Sequence, residues 1–167
     1  MKQLIFICIS LCFICCTKEE DNYQQKEVYN YSFYQSSSLE IVTNDDTYMQ
    51  WTNITEGDFI VFEYQYQSEV NALIADQGYI QTIRFEIPKD LSEFTYKDDE
   101  LINIKTTYSE SCFCYFPADS SKNVAPKGVI SGQKLSETKW KIMIDVIFYG
   151  DENQKLSQSF KLKTIAD

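Results

Sequence analysis

Residues 140–148 read Trp-Lys-Ile-Met-Ile-Asp-Val-Ile-Phe, followed by Gly150-Asp151-Glu152-Asn153 and then by the run Leu156 to Lys163. Successive side chains of an extended chain point to opposite faces, so Trp140, Ile142, Ile144, Val146 and Phe148 share one side of a strand. Met143 and Ile147 add apolar character to the other side, which places this strand inside its sheet rather than at an edge. After the turn signal, Leu156, Phe160 and Leu162 alternate with Ser157, Ser159, Lys161 and Lys163, and the two runs together read as a hairpin.

The same period-2 pattern extends back along the chain. Val28–Tyr34 sets Tyr29, Tyr31 and Phe33 against Asn30 and Ser32, and Phe59–Tyr66 sets Ile60, Phe62, Tyr64 and Tyr66 against Glu63 and Gln65. Tyr79–Ile87 points Ile83, Phe85 and Ile87 one way and Thr82, Arg84 and Glu86 the other. Shorter strand candidates are Ile102–Tyr108, Cys112–Phe116 and Lys127–Lys134. Asn44-Asp45-Asp46, Pro88-Lys89-Asp90, Lys97-Asp98-Asp99 and Pro117 to Pro126 carry turn residues. Only Ser68–Asp76, with Val70, Leu73 and Ile74, has helix-like spacing, and no repeat of fixed period is visible. About eight strands without long helices between them predict a mostly β domain over residues 26–167. The expected architecture is an antiparallel sandwich, with a closed, lipocalin-like barrel as the alternative, because periodicity does not distinguish closure.

Ahead of this domain the chain changes character twice. Met1-Lys2-Gln3 is a short positive start, and Leu4 to Cys15 is an uncharged run of Leu, Ile, Phe, Cys and one Ser. That length suits a signal-peptide core and falls short of the about 20 apolar residues of a spanning helix. Phe13-Ile14-Cys15-Cys16 resembles a lipobox, with Phe13 standing where an aliphatic residue is usual. The resemblance implies cleavage after residue 15 and lipid on Cys16. Cys16-Thr17-Lys18-Glu19-Glu20-Asp21 resembles the export signal of Bacteroidetes surface lipoproteins, and implies a membrane partner reached through the anchor at the outer membrane. Residues 16–25 hold no aliphatic side chain and read as a flexible tether. Gly128-Val-Ile-Ser-Gly132-Gln-Lys-Leu and the two strands after it are similar to the final sheet of such lipoproteins, which bears on fold and implies no activity.

Composition excludes several functions. A formal charge of -10, to which the removed segment contributes only Lys2, argues against nucleic acid, whose phosphates need clustered Lys and Arg. The chain contains no histidine, which removes the commonest general base, the Ser-His and Cys-His pairs and the commonest metal ligand. Five glycines leave no phosphate-binding loop. The Ser-x-x-Lys matches at Ser131 and Ser136 lack the other motifs that this chemistry requires. No cofactor and no metal site are expected.

Of six cysteines, four lie in the first sixteen residues, leaving Cys112 and Cys114 to the domain. They form a candidate redox pair, while the plainer reading makes them small apolar core residues beside Phe113 and Phe116. The carboxylates Asp45, Asp46, Asp98, Asp99, Glu100, Asp151 and Glu152 cluster in turns. Paired acids there would support a small glycan hydrolase, against the default of solvated turn residues. Twelve Tyr and two Trp offer stacking surfaces, with Tyr29, Tyr31, Trp51, Tyr64, Tyr66 and Tyr115 as candidates for a ligand face. The preferred expectation is a non-enzymatic envelope module whose partner is a glycan, a peptide or another envelope protein. A carboxylate-dependent hydrolase and a barrel carrying a small apolar ligand are the alternatives.

Overall fold

The computed structural model describes residues 24–71, 78–114, 118, 124–149 and 152–164. The strands are β1 (Gln24–Gln25), β2 (Val28–Thr43), β3 (Gln50–Glu56), β4 (Phe59–Gln67), β5 (Val70–Asn71), β6 (Tyr79–Pro88), β7 (Glu93–Lys97), β8 (Thr107–Cys112), β9 (Lys127–Ser136), β10 (Lys139–Ile147) and β11 (Asn153–Leu162), with one helical turn, α1 (Glu100–Asn103), before β8. Among the described residues, nine strands form one mixed sheet in the order β7-β9-β10-β11-β2-β4-β6-β8, with β3 paired to the outer half of β2. The β11–β2 contact is parallel and brief, Lys161↔Ser32 and Leu162↔Phe33, and the other pairings are antiparallel. The order ends at β7 and β8, so the sheet is not closed, and the lipocalin-like barrel is excluded.

The run at 140–148 behaves as its alternation requires. Trp140, Ile142, Ile144 and Val146 are fully buried, and β10 is paired on both edges, to β9 and β11. Its opposite face is open to solvent: Met143 and Ile147 are exposed, so an interior position in the sheet here does not mean cover on both faces. In β11, Phe160 is buried and Leu156 packs against the core, while Leu162 stands exposed. Phe62 on β4 is the hub of the core. Its ring centroid lies 5.0 Å from Phe85, 5.5 Å from Trp140, 5.8 Å from Phe33 and 5.9 Å from Phe160. Rings of β4 and β10 meet although β11 and β2 lie between them in the order, so the sheet curls around this core.

Two glycines make the packing possible. A Cβ on Gly132 would meet the Phe94 ring and Ile142, and one on Gly128, whose φ is +129°, would meet the carbonyl of Asp145. Phe94 therefore fills the side-chain-free place that Gly132 leaves on the inner face.

Three local expectations need correction. Ile102–Tyr108 is not one strand: α1 occupies its start, with Leu101 buried and the Glu100 carboxylate accepting the Lys97 N–H at 2.9 Å, and β8 begins at Thr107. Cys112 then ends β8 rather than starting a strand. Val70–Asn71, read as helical, instead pairs with Gln24–Gln25, the last residues of the tether segment. The remainder of the helix candidate, residues 72–76, lies outside the described residues, as do the signal segment and Cys16.

A feature absent from the sequence reading is the length and bend of the β2–β3–β4 hairpin. Ser36 has φ 52°, the register shifts between Tyr34 and Ser37, and Gly57 N–H donates to the Ser36 carbonyl at 3.0 Å. A Cβ at Gly57 would sit 2.5 Å from Ser38 Cβ. The hairpin turns a corner at this bulge. Its outer half then lies over the face of β4 and β6 that points away from the main core, where Tyr34, Leu39, Val61 and Ile54 form a second, small cluster.

That second contact is held by charge. Glu63 and Glu86 are buried. Glu63 receives Arg84 Nε at 2.8 Å and Nη2 at 2.6 Å as well as the Tyr34 hydroxyl at 3.1 Å, while Arg84 Nη1 donates to the Thr52 hydroxyl at 2.9 Å and to the Thr52 carbonyl. Glu86 accepts the Leu39 N–H at 2.6 Å and the Ser38 hydroxyl at 3.1 Å, and pairs with Lys105 Nζ at 2.9 Å.

Candidate functional site: a tyrosine-lined face

On the inner face of the sheet, beyond the end of the apolar core, register puts tyrosines in rows. Tyr29 stands opposite Tyr66, Tyr66 opposite Gln81 and Gln81 opposite Glu110, so one row crosses β2, β4, β6 and β8. The next row toward the core is Tyr31, Tyr64, Ile83 and Tyr108. Directly opposed side chains on neighbouring strands have Cβ atoms about 5 Å apart, so each row is a contiguous strip. Ring centroids confirm the contact, at 5.1 Å for Tyr29–Tyr66, 5.4 Å for Tyr31–Tyr64 and 5.6 Å for Tyr108–Tyr149.

Two carboxylates organise the hydroxyls. Glu27 accepts Tyr29 on one oxygen and Tyr66 on the other, each at 3.1 Å. Glu110 Oε1 accepts Tyr79 at 2.5 Å and Tyr108 at 2.9 Å, and its Oε2 accepts Tyr149 at 3.4 Å. The Gln81 amide donates to the Tyr79 and Tyr108 hydroxyls at 2.9 and 2.8 Å. Burial pushes the Tyr64 phenol up to about 12, with the neighbouring Tyr31 adding to the effect. Burial, followed by the hydroxyl contact with Tyr79 and the bond to Glu110, raises Tyr108 further, and burial with the field of Glu110 raises Tyr149. The hydrogen bond to Glu27 is the leading cause of the rise at Tyr29, whereas burial leads at Tyr66 and Tyr79. Tyr29 and Tyr66 thus keep donating to Glu27, and Tyr79, Tyr108 and Tyr149 to Glu110, at neutral pH.

Exposure grades across the strip. Tyr29 is 49% exposed, Tyr31, Tyr66, Tyr79 and Tyr149 are half-buried, and Tyr64 and Tyr108 are buried. A cleft beside the strip, bounded by Tyr48, Tyr108, Glu110, Phe148 and Tyr149, holds about 30 Å³, room for a water or two rather than a ligand. Anything that binds here lies on the face.

Of the residues expected to form a ligand surface, Tyr64 and Tyr66 stand in these rows together with Tyr29 and Tyr31. Trp51 does not: it lies on β3 opposite Val42, 44% exposed, on the folded-over half of the hairpin. Tyr115 is outside the described residues. Glu27, Tyr79, Gln81, Tyr108, Glu110 and Tyr149 belong to the site and were missed. Their signal was weak, because only the correct β6–β8 register aligns Gln81 with Glu110.

Cys112 and Cys114 form a disulfide, with Cα atoms 5.2 Å apart. Cys112 is half-buried, Cys114 exposed and Phe113 85% exposed, so this segment is not the core packing first expected of it. An i, i+2 bond bends the chain out of the strand, and the intervening side chain is turned to solvent.

The turn acids serve their turns. Asp98 accepts the Gly128 N–H at 3.0 Å and Glu100 that of Lys97, Asn44 caps the turn holding Asp45 and Asp46, and Glu152 lies in the β10–β11 loop. Asp151 is outside the described residues. Among the described residues these acids fall into three places, Asp45 with Asp46, Asp98 with Asp99 and Glu100, and Glu152 by itself. Among the described residues, no group of three or more Cys, Asp or Glu side chains is placed to hold a metal ion, and no helix is long and apolar enough to cross a membrane. No protein-family model, no curated protein and no solved structure matches this chain.

Proposed function

We propose that the chain is a non-enzymatic binding or accessory module of the bacterial cell envelope. In this reading Cys16 carries the lipid that ties the β domain to the outer membrane, and the tyrosine face receives a glycan, a peptide or another envelope protein. The curled sheet is read as a β-sandwich, with β2, β4, β6 and β8 in one layer and β7, β9, β10 and β11 in the other, because the main core is built from both groups. The single observation that carries the binding function is the row Tyr29–Tyr66–Gln81–Glu110. It is a continuous, partly exposed strip of two tyrosines, an amide and a carboxylate, backed by the Tyr31–Tyr64 row, on a paired sheet.

Two measurements test the proposal. Mass spectrometry of the amino terminus of protein recovered from cells should find an acylated Cys16; a free initiator methionine would remove the envelope assignment. Against a panel of envelope glycans and peptides, Tyr66→Ala should weaken binding about fivefold, as loss of about 1 kcal/mol of stacking implies, and Trp51→Ala should leave it unchanged. Binding lost through Trp51 and not through Tyr66 would move the site to the hairpin. The apolar-carrier reading draws no support from a cleft of about 30 Å³ beside a filled core.

A further inference from the structure

We infer that the tyrosine face selects organic cations, in particular chains bearing two alkylammonium groups. This rests on the face being the binding surface, and goes on to name the class of ligand.

The phenolic hydrogens of Tyr29 and Tyr66 are committed to Glu27, and those of Tyr79 and Tyr108 to Glu110. Both amide donor contacts of Gln81 go to phenol oxygens. Apart from the hydroxyl of half-buried Tyr31 and that of buried Tyr64, what remains for a ligand is the other kind of group: carboxylate and phenol lone pairs and the negative faces of the rings. A ligand rich in acceptors finds little to bond to. A ligand rich in donors finds acceptors throughout.

Charge points the same way. Among the described residues, half-buried Glu110 has no Lys or Arg partner, whereas the buried Glu63 and Glu86 each have one, and the exposed Glu27 is likewise without a cation beside it. Both carboxylates stand beside aromatic rings, which is the setting in which ammonium groups gain from cation–π attraction as well as from the ion pair. The formal charge of -10 over the whole chain steers cations toward the surface and repels anions.

Spacing sets the shape of the ligand. Glu27 caps the β2–β4 end of the row, and Glu110 stands at its β8 end. Three inter-strand steps of about 4.8 Å separate the two ends, roughly 14 Å in all, with tyrosine rings between them. An extended chain with an ammonium group near each end and an apolar or sugar body fits this arrangement. Free linear polyamines and oligomers of unacetylated amino sugar share this chemistry.

The experiment is calorimetric titration of the protein as purified from cells with spermine, with a glucosamine oligomer and with its neutral N-acetylated counterpart, at low and at moderate salt. The expected result is binding of one or both cations, weakened about tenfold or more by the rise in salt. The N-acetylated oligomer should bind at least tenfold more weakly than the cation of the same shape. Spermine binding without the amino-sugar oligomer assigns a free polyamine, and the reverse assigns a polymer. Glu27→Gln, at an exposed position where folding is not at stake, and Glu110→Gln should each weaken cation binding about fivefold, as loss of a partly exposed charge contact implies. Equal binding of the charged and neutral oligomers, or cation binding unchanged in both variants, overturns the inference while leaving the tyrosine face as a binding surface. Binding of none of the three probes, together with an unresponsive glycan and peptide panel, overturns both.

Discussion

Replacing Glu86 by alanine should detach the folded-over half of the β2–β3 hairpin. Its carboxylate is buried on β6, where it accepts the buried Leu39 N–H at 2.6 Å and the Ser38 hydroxyl at 3.1 Å and pairs with Lys105 at 2.9 Å. Alanine leaves the Leu39 N–H without an acceptor, at a cost of roughly 1.5–3 kcal/mol for a bond to a charged group, and removes the weaker Ser38 contact. Lys105 is about a third exposed and still donates to the Leu39 carbonyl at 2.8 Å, so its lost ion pair adds little. The total is about 3 kcal/mol, or about 10 °C in Tm for a domain of this size. Urea unfolding followed through the two tryptophans separates the effects, because Trp51 reports the hairpin and Trp140 the core. The Trp51 transition should move to lower urea first, and amide exchange at Leu39 should accelerate. Glu86→Gln, which retains an acceptor, should lose about half as much. A Glu86→Ala protein within about 0.5 kcal/mol of the parent, with Leu39 exchange unchanged, would refute the assignment of the hairpin contact to this carboxylate.

Gly132→Val should cost about 1–3 kcal/mol by driving a side chain into Phe94 and Ile142, measured as a lower urea midpoint with an unchanged slope. Trp140→Phe should be mild, under about 1.5 kcal/mol, because the buried indole N–H has no hydrogen-bond partner among the described residues, whereas Trp140→Ala should cost about 3–5 kcal/mol; thermal melts distinguish the two. Burial, reinforced at Tyr34 by Glu63, lifts Tyr34 and Tyr64 to about 12 from the usual 10. Both phenols hold their protons longer folded than unfolded, so their contribution is complete below about pH 10 and is lost as pH rises from there through about 12. Absorbance of tyrosinate should consequently lag behind that of free tyrosine, and urea stability should fall steadily across that window; an ordinary titration near pH 10 for all twelve tyrosines would contradict the burial of Tyr34 and Tyr64.

What could be read from the sequence was whatever depends on alternation alone. The Trp140 strand, its hairpin with β11, and the inward sets of β4 and β6 follow from period-2 patterning, and the structure buries Phe62, Ile83, Phe85, Ile87, Ile142 and Ile144 accordingly. Alternation failed where a bulge reset it. Gln35-Ser36-Ser37-Ser38 hides the continuation of β2, since the left-handed turn at Ser36 swaps the faces and leaves Leu39 buried in a different cluster from Phe33. β3 and β7 were missed for a related reason: each has few inward residues, and Thr52 and Phe94 take their meaning from Arg84 and Gly132 on other strands. The site shows the same limit. Tyr29, Tyr31, Tyr64 and Tyr66 lie on strands that could be read directly, but Glu110 is meaningful only once β8 is in register with β6, more than twenty residues away in the chain.

The two faces of the β2-β4-β6-β8 part of the sheet treat their carboxylates in opposite ways, and the contrast bears on function. On the outer face Glu63 and Glu86 are each matched by a cation and tied to the hairpin, as a buried charge must be if it is to hold structure rather than disrupt it. On the inner face Glu110 and, at the edge of the row, Glu27 are met among the described residues by phenols, which supply hydrogen bonds without neutralising charge. Five tyrosine hydroxyls around two carboxylates are more than stability demands, since an apolar pair in the same register would pack as well at lower desolvation cost. The buried carboxylates of the outer face come with their own counter-charge, and in the proposed reading the counter-charge of Glu110 and of the exposed Glu27 is the ligand's.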